Sequence, residues 1–231
     1  MFTALGNKIS RMNLREKPVA SAKLIGGRLC LDFTNTVGGR LAKSSSPRHR
    51  IDSYLVREDR LTDYYDILAW SLRVGLLTEA EARRLAREAS KREAEAAGVW
   101  ERAIALREAI YRITLAVVSQ VQPRVYDLEV LNHEVALAHD RLNLAAGEAG
   151  AFVWKWNEAK EALDQILWRI ADSAAEMLTA DDLTRLRQCA GDKCGWLFQD
   201  TSRNRSRQWC DMQDCGNVAK VRRFRSRNRR K

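Results

Sequence analysis

Four of the five cysteines in this 231-residue chain crowd into the stretch from Cys189 to Lys231. They form two pairs, Cys189-x4-Cys194 and Cys210-x4-Cys215, with fifteen residues between the pairs. Two close pairs split by a hairpin-length insert suit a tetrahedral ion: each pair wraps one side, and the insert brings the chain back. Disulfides would need an oxidising compartment, and Met1 to Gly6 lacks the basic start and continuous apolar stretch of an export signal. A redox pair would read C-x-x-C, which is absent here. Iron also accepts four thiolates, but no electron-transfer feature accompanies them. The spacing points to one structural Zn2+ on Cys189, Cys194, Cys210 and Cys215.

So short a segment cannot build an ordinary core, so the ion and the nearby aromatics must jointly supply it. Trp196 and Phe198 alternate along one expected strand, and Trp209 precedes the third cysteine. Metal binding contributes on the order of 10–16 kcal/mol to modules of this kind, enough to decide whether they fold. The insert from Asp200 to Gln208 is polar and suits a hairpin tip. After Cys215 the pattern predicts a helix, with Val218, Val221 and Phe224 as a narrow stripe that can pack on Trp196 and Trp209.

Charge is concentrated in the same place. Residues 189–231 carry 12 Lys/Arg against 4 Asp/Glu, whereas residues 21–188 carry 24 against 25. Clustered cations raise the local concentration of phosphate groups. Arg203, Arg205 and Arg207 in the insert and Lys220, Arg222, Arg223, Arg225 and Arg227 on the terminal helix are the candidate nucleic-acid contacts. A cationic helix on a metal-stiffened base is a common way of presenting a reader to a DNA groove.

The cysteine spacing, together with Trp196, Asp200-Thr201-Ser202, Arg207 to Met212, Cys215-Gly216-Asn217 and Ala219-Lys220, resembles the CGNR zinc finger family. The four cysteines fall on that family's zinc ligands, and the resemblance implies a treble-clef or ribbon-like module. The family's name-giving arginine is Val218 here. Upstream, Leu31 to Thr36, Leu68-Ala69-Trp70, Leu106 to Ala109 and Ser173 to Leu178 resemble the domain that precedes this finger in its family, the ABATE-type putative stress-induced transcription regulator.

The rest of the chain reads as mainly α with a small β-sheet or hairpin. Three regions are expected: a flexible basic extension over 1–22, a mostly helical sensor or dimerisation domain over 23–182, and the finger over 183–231. Leu29, Leu31 and Phe33 alternate, predicting a short strand after the Gly26-Gly27 turn. Cys30 reads as a buried apolar residue. Residues 38–60 read as a basic loop. Helices are expected from Thr62 to Gly75, after the capping box Thr78/Glu81, over 94–120, over 126–138 and over 158–178. Residues 141–156 read as a hairpin whose Phe152, Trp154 and Trp156 share a face, and this strand could join the Leu29–Phe33 strand. Asp32 and Asn35 at the end of one strand, with Trp154 and Trp156 on the other, are the candidate ligand pocket.

These features favour a transcription regulator that binds duplex DNA, with the helical domain sensing a small-molecule effector or forming a homodimer. The alternative is an RNA-binding zinc protein in which Trp196, Phe198 and Trp209 stack on bases. No nucleophile–histidine pair, phosphate loop or open metal triad is visible, so an enzyme is not expected. Without an export signal or an apolar run of about 18 residues, a cytoplasmic protein without a membrane partner is expected.

Overall fold

In a computed structural model, the fold is described for residues 13–42, 54–157, 161–180 and 182–228. Among these are seven α-helices and three separate antiparallel ribbons of two strands each. None of the helices is long and apolar enough to cross a membrane.

Residues 13–22 do not hang free. Two 3-10 turns, Leu14–Glu16 and Pro18–Ser21, lay Leu14, Val19 and Ala22 into the main core. Lys17 reaches Asp63 and Asp66 at 3.0 Å. The expected extension is therefore docked over this stretch, and residues 1–12 lie outside the described residues.

The expected strand at Leu29–Phe33 is instead helix α1, Leu29–Thr34. A short apolar run fits either form, and only its surroundings decide. Cys30, Leu31, Phe33 and Thr34 are all buried, which a strand with one wet face would not allow. The hydroxyls of Thr34 and Thr36 close the turn on the carbonyls of Leu31 and Phe33, each at 2.8 Å. Cys30 is a core residue, as expected, and burial pushes its thiol up to about 12.

The expected loop over 38–60 contains a ribbon, β1 (Val37–Ala42) against β2 (Tyr54–Asp59), running in register from Val37↔Asp59 to Ala42↔Tyr54. Its sequence is charged because its contacts are ionic. Arg40 meets Glu108, Asp59 meets Arg107, and Tyr54 packs edge-on against Tyr111 at 5.1 Å.

The helical expectations hold with small shifts. Helix α2, Tyr64–Arg73, is capped by Asp63 rather than Thr62, and the chain turns at Gly75 with φ +75°. Helix α3, Glu79–Lys91, opens on the Thr78/Glu81 capping box. Helix α4, Glu93–Val118, buries Ala103, Leu106, Ile110 and Ile113, and helix α5 runs Val125–His139. The hairpin forms as β3 (Leu142–Ala146) and β4 (Phe152–Trp156), paired only with each other. With α1 helical, the proposed joint sheet does not exist. Helix α6, Gln165–Ala180, starts later than expected and buries Ile166, Leu167, Ile170, Ala174 and Met177.

The last ribbon, β5 (Leu186–Gln188) against β6 (Leu197–Gln199), joins two cores. Leu186 and Leu197 belong to the main core, while Phe198 belongs to a small cluster with the cysteines, Ile25, Trp196 and Trp209. Alternation along one strand thus pins the terminal module to the helical body. Helix α7, Asn217–Asn228, ends the described chain.

Candidate metal centre and nucleic-acid interface

The first cysteine pair sits at the tip of the β5–β6 ribbon, where the Cys189 N–H donates to the Trp196 carbonyl at 2.8 Å. The second pair is brought back by the Ala190 N–H, which donates to the Gln208 carbonyl at 2.9 Å. The four Sγ atoms lie within 4.8 Å of one another. Two edges measure 3.5 Å (Cys194–Cys210) and 3.7 Å (Cys210–Cys215). Zinc–sulfur bonds of about 2.3 Å in a tetrahedron give edges of about 3.8 Å, and a disulfide would need about 2.05 Å. The sulfurs therefore fit one ion, and all five cysteines of the chain are free.

The surrounding backbone is shaped for that ion. N–H groups of Gly191 and Cys210 donate to the Cys189 sulfur at 3.4 and 3.3 Å, orienting the ligand. A Cβ on Gly191 would stand 3.1 Å from the Cys215 sulfur, tight enough that the ligand would have to shift by a few tenths of an ångström. Sulfurs this close ionise interdependently. Hydrogen bonds from Cys194 and Cys210 pull Cys189 down, while hydrogen bonding to Cys189 pushes Cys194 and Cys210 up and burial raises Cys215. Protons alone thus favour one anionic sulfur; a divalent cation stabilises all four.

Two polar side chains organise the insert. Asp200, fully buried, accepts from the N–H groups of Ser202 and Arg207 at 2.9 and 3.0 Å. The Arg207 guanidinium lies over the Phe198 ring at 4.3 Å and donates to the carbonyls of Ile25, Trp209 and Cys210. Expected at the nucleic-acid surface, Arg207 instead closes the finger's own core.

The finger is stitched to the helical body. Asn35, 2% exposed, donates to the Leu197 carbonyl at 2.8 Å and accepts its N–H at 3.0 Å, acting as a surrogate strand neighbour. Trp196 donates to the Val37 carbonyl at 2.7 Å, and the Arg40 N–H to the carbonyl of the ligand Cys194 at 3.0 Å. Tyr111 donates to the Gly195 carbonyl at 3.1 Å. Gly195 has φ +74°, and a Cβ there would stand 2.5 Å from the Arg40 carbonyl oxygen. Behind these contacts the Arg40 side chain is fully buried, with its guanidinium 4.0 Å from the Tyr111 ring centre and hydrogen-bonded to Glu108. Burial alone would raise Glu108, but Arg40, Arg107 and Tyr54 outweigh it and hold the carboxyl down to about 2.

The remaining candidate cations lie outside this scaffold. Arg203, Lys220, Arg225 and Arg227 are exposed, with no ion-pair partner among the described residues. Arg205 pairs with Asp182 at 3.1 Å, Arg222 pairs with Asp192, and Arg223 reaches over the Trp209 ring at 5.9 Å. The expected stripe does not pack on Trp196 and Trp209: Val218 and Phe224 are 70% and 66% exposed. Trp196 is turned to the Val37 carbonyl and Arg223 reaches over Trp209, so both partners are already engaged. A cleft of about 570 Å³, lined by Gly39, Trp196, Cys215, Val218 and Arg222 among others, runs beside the centre.

The candidate ligand pocket is not assembled. Asp32 accepts the Gly26 N–H at 2.8 Å, and Asn35 is committed to Leu197. Trp156 stacks on Trp168 at 6.3 Å, and Trp154 is 69% exposed on the ribbon. Sequence reasoning missed Asn35, Arg40 and Glu108 as the brackets of the finger. Asn35 alone carries a local signal, as part of a polar cluster straight after an apolar run; Arg40 and Glu108 carry none.

A helical body fixed to a four-thiolate zinc finger that carries a basic helix is the class this geometry defines. Residues 27–181 match the family described as "Putative stress-induced transcription regulator", and residues 185–228 match the CGNR zinc finger. The chain belongs to that regulator family, with the CGNR finger following the domain directly. Its cofactor is one structural zinc held by Cys189, Cys194, Cys210 and Cys215. Among curated proteins none matches the chain.

Proposed function

We propose that the protein is a transcription regulator that binds duplex DNA through its zinc finger, with helix α7 as the contacting element. The observation that carries this reading is the charge of α7: five cations, no acid, and all five exposed. The zinc holds the base of that helix, and the brackets at Asn35, Arg40 and Gly195 fix the base to the body. Lys220 and Arg227 are free to meet phosphates, as is Arg203 from the insert, and Arg225 is free to meet the duplex beside them. Arg222 and Arg205 can exchange exposed partners for phosphate at small cost, because exposed ion pairs are weak. Arg207 is left out of the interface because it serves the finger's own carbonyls.

The test is salt dependence. Four to six phosphate contacts give a slope of about −4 to −5 in log affinity against log salt. Lys220→Ala is expected to reduce that slope by about 1 while leaving the metal content unchanged. A slope near zero would remove the backbone-contact reading.

The RNA alternative is less well supported. Phe198 is fully buried and Arg223 lies over the half-buried Trp209 ring, so neither offers a bare ring face to a base. Competition between duplex DNA and single-stranded RNA separates the two readings.

For the helical domain, self-association is better supported than effector sensing. One face of the β3–β4 ribbon leaves Leu144, Phe152 and Trp154 60–72% exposed, an apolar patch that a second copy could cover. No catalytic step is proposed, since four thiolates close the metal's coordination. A cytoplasmic location is part of the same proposal.

A further inference from the structure

Helix α7 is cationic, yet it carries an apolar stripe that the fold leaves bare. Val218 is 70% exposed, Val221 43% and Phe224 66%. None of the three belongs to the main core or to the finger's cluster. The helix packs chiefly on its own leading turn, Met212–Gly216. Three bare apolar side chains in a row on a 12-residue helix expose surface that gains free energy only when something covers it.

We infer that a DNA major groove covers the stripe, with Val221 and Phe224 resting on the C5-methyl groups of thymines. The inference builds on the DNA-binding proposal and adds which part of the duplex meets which side chain. At about 100° per residue, the stripe spans about a third of the helix circumference, and Lys220 and Arg222 lie about equally far from its centre on opposite sides. The helix is about 18 Å long and suits a groove about 12 Å wide. With the stripe on the groove floor, those two cations face the two phosphate backbones. Arg225 falls within the stripe and can reach a base edge. Thymine is the base that offers an apolar group in that groove. A second copy is a poor cover, because stacking two such stripes would bring Arg225 against its own charge. A lipid surface is also poor, since the stripe is three residues wide and lacks Trp and Leu.

The test uses the full-length zinc-loaded protein and a random-sequence duplex pool synthesised once with thymidine and once with deoxyuridine. Deoxyuridine removes only the methyl group. The wild type is expected to prefer the thymidine pool by about fourfold for each methyl covered. The double variant Val221→Ala, Phe224→Ala is expected to keep its zinc and its salt slope but lose the preference. Equal binding of both pools by the wild type overturns this inference and leaves the DNA-binding proposal standing. Binding to neither pool overturns both. If anionic phospholipid vesicles or self-association account for the stripe, the variant will abolish those instead, which also overturns the inference.

Discussion

Replacing Asn35 by alanine tests the joint between finger and body most severely. Asn35 is 2% exposed and makes two hydrogen bonds to the backbone of one buried residue, Leu197. The alanine removes both and leaves a backbone N–H and a carbonyl desolvated without partners. Each buried polar group stranded in this way costs about 1–3 kcal/mol, so the variant is expected to lose about 3–4 kcal/mol. Asn35→Asp is expected to lose at least as much, because it keeps the acceptor for the N–H but sets a buried negative charge against the carbonyl. Equilibrium urea unfolding of the zinc-loaded protein, followed by the fluorescence of the tryptophans, measures the loss at unchanged m. Zinc release to a chelator is expected to speed up in the same variant, since the peptide it frees leads out of Cys194. A loss below about 1 kcal/mol would show that Asn35 does not bracket the finger, and the rigid coupling argued from it would fall.

Two further outcomes are expected. Glu108 ionises well below its ordinary 4.5, at about 2. A depressed carboxyl contributes stability that is present above 4.5 and lost as pH falls towards 2, and the contribution is on the order of 3 kcal/mol. Glu108→Gln should therefore flatten the acid limb of the unfolding profile in that window; an unchanged limb would contradict the Arg40–Glu108 assignment. Gly195→Ala forces a positive φ on a residue with a Cβ and drives that Cβ against the Arg40 carbonyl. It should cost more than 2 kcal/mol by calorimetry, and a change below 1 kcal/mol would mean that the close approach is not real.

Much of the finger was legible in the sequence because its determinants are local. Two cysteine pairs and a hairpin-length insert dictate a four-sulfur cage, and Trp196 and Phe198 fall on one strand face. The long helices were legible from their apolar period, and the Thr78/Glu81 box marked a start that the structure keeps. What failed was tertiary. The run Leu29 to Thr34 is helical because Cys30, Leu31, Phe33 and Thr34 are all buried by distant elements, and nothing within those six residues says so. The β1–β2 ribbon read as loop because its stabilising partners, Arg107, Glu108 and Tyr111, lie far along the chain. Arg207 looked like any other insert arginine until the Phe198 ring and three carbonyls were found around it. The stripe on α7 stays exposed because Trp196 is held by the carbonyl of Val37, remote in sequence, and Trp209 by Arg223 from another face of the same helix.

A single ion gathers Cys189, Cys194, Cys210 and Cys215 beneath a basic helix. Elemental analysis of the purified full-length protein, run alongside titration of DNA binding as the metal is withdrawn by a thiol-directed reagent, addresses that claim most directly. One zinc per chain, with DNA affinity falling in step with metal loss, is the predicted result. A chain without stoichiometric metal, tail cysteines joined as disulfides, or DNA binding indifferent to the metal would contradict it.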